Sequence, residues 1–255
     1  MVMNRRKGYG FLALVALVAV LVGGWYWQQA TWRSGALWRI VSQQCVPGQM
    51  HKQNPAPCQS VDLPHGFVLL KDINGPLQYL LMPVDHITGI ESPVLLQSST
   101  PNFFWYAWQA RHLLSVRHGA AVPDSAVSLA INSPSGRTQN QLHIHISCLR
   151  PDIRAVLDQH ADGLSSQWHE FPVAMMGDKW LARRLSEEEL QQHSLFIALA
   201  RQVPNAAEHM GQYSLAVVAL KGGGLLALVT QRDLLSGNRA SAEVLQDHSC
   251  AILNP

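Results

Sequence analysis

The chain has 255 residues, of which 14% are charged, with a net charge of +2 and eight tryptophans. That share of charge is well below the roughly one quarter of an average soluble domain, and the length suits one large domain or two small ones. Arg5, Arg6 and Lys7 are the only charges before residue 28, so removing residues 1–27 turns 19 basic residues into 16 against 17 acidic ones, a net of −1. No basic face of the kind that nucleic-acid binding requires is available.

In chain order the first element is the uncharged run from Tyr9 to Trp27, 19 residues long. As a helix it would span roughly 28 Å, close to the hydrocarbon thickness of a bilayer. Positive charge precedes it and Trp25, Tyr26 and Trp27 close it, as at a membrane interface. A cleaved signal peptide would carry a shorter apolar region, about 7 to 15 residues, and a small-residue cleavage site, which "WYWQQATW" does not offer. The expectation is a cytoplasmic N-terminus (1–8), a transmembrane anchor (9–27), a linker helix and disulfide loop (28–64), and a main domain (65–255). The charge asymmetry directs that domain out of the cytoplasm, to the periplasmic face of an inner membrane.

Leu37, Ile40 and Val41 lie at helical spacing, which predicts a short helix, and the stretch from Gln43 to Pro64 reads as a loop. Within it Cys45 and Cys58 bracket a turn-rich segment and are expected to pair, leaving Cys148 for Cys250; an even cysteine count in an oxidising compartment favours disulfides. "GFVLLKD" and "LQYLLMP" read as strands joined across Asn74-Gly75. Thr100 and Pro101 predict the start of an aromatic-rich helix through residue 118. Residues 125–133 and 138–149 read as strands around a Pro/Gly turn, and Pro151 opens a short helix. A capping box at Ser186–Glu189 begins a helix to about Arg201, and residues 213–232 form a second hairpin turning at Gly222–Gly224. Helices interspersed with antiparallel hairpins make the class α+β.

The chemistry-bearing stretch is "QLHIHISC". Side chains alternate along a strand, so Gln141, His143, His145 and Ser147 share one face, while Leu142, Ile144, Ile146 and Cys148 share the core face. That parity turns Cys148 away from the histidines. Three readings stand: a polar outer face without function, two imidazoles of a zinc site lacking its third ligand, or an imidazole nucleophile available at neutral pH.

"QLHIHIS" resembles the histidine-triad (HIT) motif with Gln141 in place of the first histidine. "LLKDINGPLQYLLMPVDHI" is similar to that superfamily's strand, turn, strand and Pro-x-x-His-Ile pattern. "TPNFFWYAWQAR", "AVSLAINS", "RTQN" and "HIHISCLRPD" resemble the bacterial CDP-diacylglycerol pyrophosphatase family over nearly all of residues 35–252. The resemblance implies a HIT-like antiparallel sheet with flanking helices and a hydrolase of phospholipid metabolism releasing CMP and phosphatidate from CDP-diacylglycerol at the inner membrane. It further implies that His143 is the nucleophile, forming a nucleotidyl-histidine, with His145 donating to phosphate oxygens or the leaving group. Asp72 takes the place of the ribose-binding Asp, Asn132 that of an upstream Asn, and Thr138 that of a phosphate-contacting hydroxyl; Ser147 completes the candidate binding set. Gln141 can orient a neighbour but cannot carry a proton between steps. No carboxylate cluster accompanies the strand, so the expectation is chemistry without a metal or other cofactor. Two rivals remain: a two-histidine phosphoesterase using His86–Thr88 and His145–Ser147, and a non-catalytic nucleotide- or metal-binding protein.

Overall fold

The computed structural model describes residues 32–254 and, before them, residues 16–18, 20, 22–24 and 29. The expected α+β class with a large antiparallel sheet is observed, but the expected transmembrane helix is not. Among the described residues no helix is long and apolar enough to cross a membrane. A span requires on the order of 20 apolar residues in one unbroken helix. Within Tyr9–Trp27 the described helical residues are 16–18, 20 and 22–24, and the rest of that run lies outside the described residues.

Among the described residues from 36 onward the α-helices are α1 (Ala36–Ile40), α2 (Val46–Lys52), α3 (Phe103–Gln109), α4 (His112–His118), α5 (Pro151–His160), α6 (Glu187–Gln192) and α7 (Leu195–Gln202). The strands are β1 (Ser60–Asp62), β2 (Phe67–Lys71), β3 (Gln78–Pro83), β4 (Val127–Ile131), β5 (Ile144–Leu149), β6 (His169–Glu170), β7 (Leu181–Leu185), β8 (Tyr213–Ala219), β9 (Leu225–Gln231) and β10 (Gln246–Asp247). They form one sheet in the order β1-β2-β3-β5-β4-β8-β9-β7-β6. β10 takes up β5 where β3 stops, pairing Asp247 with Cys148 beyond the Gln78–Ser147 pair.

Sheet alternation divides the molecule. One face carries Leu69, Leu81, Leu129, Leu142, Ile144, Ile146, Cys148, Leu215 and Val217, all buried under Phe104, Trp108 and Leu114 of α3 and α4 and Leu190, Phe196 and Leu199 of α6 and α7. The opposite face has two separate apolar patches. Val68, Leu70, Leu80 and Met82 pack against Val41 and Cys45 of the N-terminal helical segment. Ala130, Leu149, Ala216, Val218, Leu226 and Leu228 pack against Ile153 and Leu157 of α5. Between the patches the same face is polar and still buried, with Gln78, Ser128, Gln141, His143, His145 and Ser147. The helical covering is interrupted over those residues.

Four boundaries differ from the sequence expectation. The stretch 43–64 is not a plain loop: a π-helical turn, Val41–Cys45, leads into α2, and β1 follows. Pro47 lacks an N–H and crowds the preceding turn, which accounts for the widened winding just ahead of it. The helix expected over 102–118 is capped by Asn102, not Thr100, and breaks at Ala110–Arg111, where the amide of Leu113 bonds the Ala110 carbonyl. The helix from Ser186 breaks at His193–Ser194, although the predicted cap is present, with Ser186 Oγ accepting from Glu189 N at 3.0 Å. The strand expected from 138 begins only at Ile144. β3 reaches β5 as far as Leu81 opposite Ile144, and earlier amides bond elsewhere, Asn140 N to Ser34 O and Leu142 N to Ile87 O. Both expected disulfides are present, Cys45–Cys58 and Cys148–Cys250.

Candidate active site

A cleft of about 540 Å³ opens where the helical covering is interrupted. His143, His145, Asn132, Glu243, Asp72, Arg137 and Thr138 line its polar side. Its other side is apolar, formed by Ala36, Leu37 and Ile40 of α1 with Pro57 and Leu70. α1 is tied across the cleft by Leu37 N donating to Gln139 Oε1 (3.2 Å) and Gln139 Nε2 donating to Arg33 O (3.0 Å). A second cleft of similar volume, against Trp180 and Tyr213, is lined by neither histidine nor cysteine.

His143 is held from behind. Its Nδ1 lies 2.6 Å from the backbone carbonyl oxygen of Gln141, which can only accept, so the proton is on Nδ1 and Nε2 keeps its lone pair. His145 packs edge-on to it, with ring centroids 4.9 Å apart, and its Nδ1 lies 2.7 Å from Gln78 Nε2. Burial lowers the pKa of His143. Burial, reinforced by the neighbouring His143, takes His145 down to about 3. Both rings are therefore neutral at neutral pH.

The far end of the chain completes the site. Burial alone would raise the pKa of Glu243, but the hydrogen bond from His248, the electrostatic influence of the adjacent His145 imidazole and the hydrogen bond from Asn132 outweigh it, bringing the carboxyl to about 2. Asn132 Nδ2 donates to Glu243 Oε2 at 2.9 Å, and Glu243 N donates back to Asn132 Oδ1 at 3.1 Å. His248 Nε2 lies 3.0 Å from Glu243 Oε1, and its Nδ1 lies 3.0 Å from Ser147 Oγ. Ser147 in turn donates to Leu77 O at 2.8 Å. Arg137, on the same polar side, makes a two-pronged ion pair with Glu91 at 2.7 and 2.6 Å. Gly89 leaves room for it, since a Cβ there would stand 2.2 Å from an Arg137 nitrogen.

A nucleophile-competent imidazole, a neighbouring imidazole and a cation thus face one amphiphilic cleft. The model of the CDP-diacylglycerol pyrophosphatase family matches residues 32–254. The chain belongs to the CDP-diacylglycerol pyrophosphatase family. It is accordingly a hydrolase of a pyrophosphate bond, with CDP-diacylglycerol as the family's substrate.

In this pyrophosphatase the residues singled out from sequence are not all in one place. His143, His145, Asp72, Asn132 and Thr138 line the cleft. Gln141 and Ser147 are fully buried and do not line it. The Gln141 side chain turns to the β3 end, its Nε2 donating to the carbonyls of Pro83 (3.0 Å) and Asp85 (2.9 Å). His86, weighed as half of a two-histidine pair, stacks on Trp38 with centroids 4.9 Å apart and does not line the cleft. Among the described residues no group of three or more His, Cys, Asp or Glu side chains is placed to hold a metal ion. Sequence reasoning missed Gln78, Arg137, Glu243 and His248. Arg137 adjoins Thr138 and could have been found as a cation beside a phosphate-binding hydroxyl. Glu243, in a 3-10 turn over Ala242–Leu245, and His248 lie about a hundred residues from β5, without a local pattern to flag them.

Proposed function

We propose that this pyrophosphatase cleaves CDP-diacylglycerol through a nucleotidyl-histidine on His143. The observation that carries the reading is the 2.6 Å hydrogen bond from His143 Nδ1 to the Gln141 carbonyl, which leaves the Nε2 lone pair for attack. In the first step Nε2 bonds to the phosphorus of the CMP unit and the bridging P–O bond breaks, its electron pair leaving with phosphatidate. In the second step a water oxygen bonds to the same phosphorus and the P–N bond breaks. Its electron pair returns to Nε2, CMP departs, and the water's proton passes to solvent. Such division replaces one difficult displacement by two easier ones, and donors aimed at the phosphoryl oxygens stabilise the charge that develops.

The remaining roles follow the histidine-triad resemblance and the cleft lining. His145 and Thr138 donate to phosphate oxygens, Arg137 supplies positive charge, and Asp72 receives the ribose hydroxyls. Asn132 acts through Glu243, since both ends of its amide are engaged there. The apolar wall of Leu37, Ile40 and Leu70 receives the glycerol end of the lipid. Two disulfides suit an oxidising compartment, so the work is assigned to phospholipid metabolism on the periplasmic side of the inner membrane.

The test is hydrolysis of CDP-diacylglycerol in ¹⁸O-water. The label is expected in CMP and not in phosphatidate, and rapid acid-free quenching should trap a CMP-sized adduct on His143. His143→Ala is expected to lose at least a thousandfold in kcat, near the scale of losing a nucleophile. Label in phosphatidate, or an active His143→Ala protein, would sink the covalent route.

A further inference from the structure

We propose that Gln78 and Glu243 are positioning residues that fix the tautomer of His145, so that its Nε2 carries the proton. The inference rests on the reading of His145 as a donor to the substrate's phosphate groups. Gln78 opens β3 directly opposite Ser147, so its side chain lies on the polar strip of the sheet. Its Nε2 stands 2.7 Å from His145 Nδ1 and 3.5 Å from Glu243 Oε1; that carboxylate oxygen also lies 3.4 Å from His145 Nδ1, but the short hydrogen bond of Nδ1 is the one to Gln78. A carboxylate accepts only, so the amide must turn its NH₂ toward Glu243. The second proton of that NH₂ then points at His145 Nδ1, which must be the acceptor. The ring proton is left on Nε2, a buried atom without a partner in the protein.

Glu243 can dictate this because it does not move freely. Asn132 holds Oε2, His248 holds Oε1, and His248 is braced by Ser147, whose hydroxyl proton is used on the Leu77 carbonyl. Turning the Gln78 amide over would set its oxygen against the carboxylate and bring the His145 proton to Nδ1. Nε2 would then present a lone pair to an anionic pyrophosphate. An orphan donor at Nε2 suits a phosphoryl oxygen, whereas an orphan acceptor there repels one.

The experiment reads the ring directly, in the free enzyme, by long-range ¹H–¹⁵N NMR of ¹⁵N-histidine-labelled protein, with His145 assigned by its loss in His145→Gln. The wild type is expected to hold the Nε2–H form. Gln78→Glu places an acceptor against Nδ1 and is expected to give the Nδ1–H form, with kcat about a hundredfold lower and KM little changed. Glu243→Gln removes the orienting charge and is expected to populate both forms. An Nδ1–H ring in the wild type, or an unchanged ring in Gln78→Glu, overturns the proposal. The NMR outcome is independent of any covalent adduct, so failure of the nucleotidyl-histidine route shows separately in the labelling experiment.

Discussion

His143 and His145 are neutral because they are buried, and that has a measurable cost in acid. An imidazole whose folded pKa lies below its unfolded value binds its proton first in the unfolded chain, so stability is lost as pH falls. For His145 the window opens near the ordinary 6.5 and closes near 3. Glu243, at about 2 against an ordinary 4.5, adds loss of the same sign further into acid. Thermal melts should therefore be flat above the histidine range and fall steadily below pH 6.5, and His145→Gln should flatten the part above 4.5. A wild-type Tm that rises on acidification would contradict this. Gln141 behaves differently from a catalytic residue. It is the backbone carbonyl of residue 141 that orients His143, while the side chain satisfies the carbonyls of Pro83 and Asp85. Gln141→His should accordingly change kcat by only a few-fold. Gln141→Ala should cost about 1–3 kcal/mol of stability, as two acceptors lose their donor; denaturant unfolding beside steady-state assays separates the two effects.

Among the elements, the β2–β3 turn does more than join two strands. Gly75 has φ +64°, and a Cβ on it would stand 2.4 Å from His248 Cβ and 2.9 Å from the His248 carbonyl. Gly75→Ala is expected to push His248 off Ser147 and Glu243, destabilising by about 1–3 kcal/mol and lowering kcat. A variant with unchanged kcat and Tm would show that the turn does not seat His248. Ile73 in the same turn is 98% exposed beside the cleft. The hairpin was legible because Asn-Gly between two apolar runs has one favourable local geometry. The parity of residues 142–148 was legible for a similar reason, because alternation needs no distant partner. The break at Ala110–Arg111 was not, since the turn is set by tertiary contacts of Arg111, over the Trp108 ring and paired to Asp124. Neither was the late start of β5, which depends on where the β3–β5 pairing ends and on Ile87 and Ser34 offering other acceptors.

Across the whole molecule, two patches on one sheet face are covered by different parts of the chain, and His143 and His145 occupy the seam between them. The C-terminal segment reaches that seam under covalent restraint, because Cys250 is joined to Cys148 across 102 residues of sequence. In the chain-entropy view a loop of that size contributes about 4–5 kcal/mol. The double variant Cys148→Ser, Cys250→Ser should thus melt on the order of 10–15 °C lower and lose activity before it unfolds, as His248 loosens; coincident loss of activity and fold would argue against that order. The seam itself was beyond sequence reading, for nothing local in residues 241–250 marks them as neighbours of β5. That distance has a consequence in time. Protein is made from its N-terminus, so His143 leaves the ribosome about a hundred residues before Glu243. On the proposed mechanism a chain clipped ahead of Glu243 would hold His143 without the Glu243 and His248 side chains that stand beside His145, and is expected to be inactive.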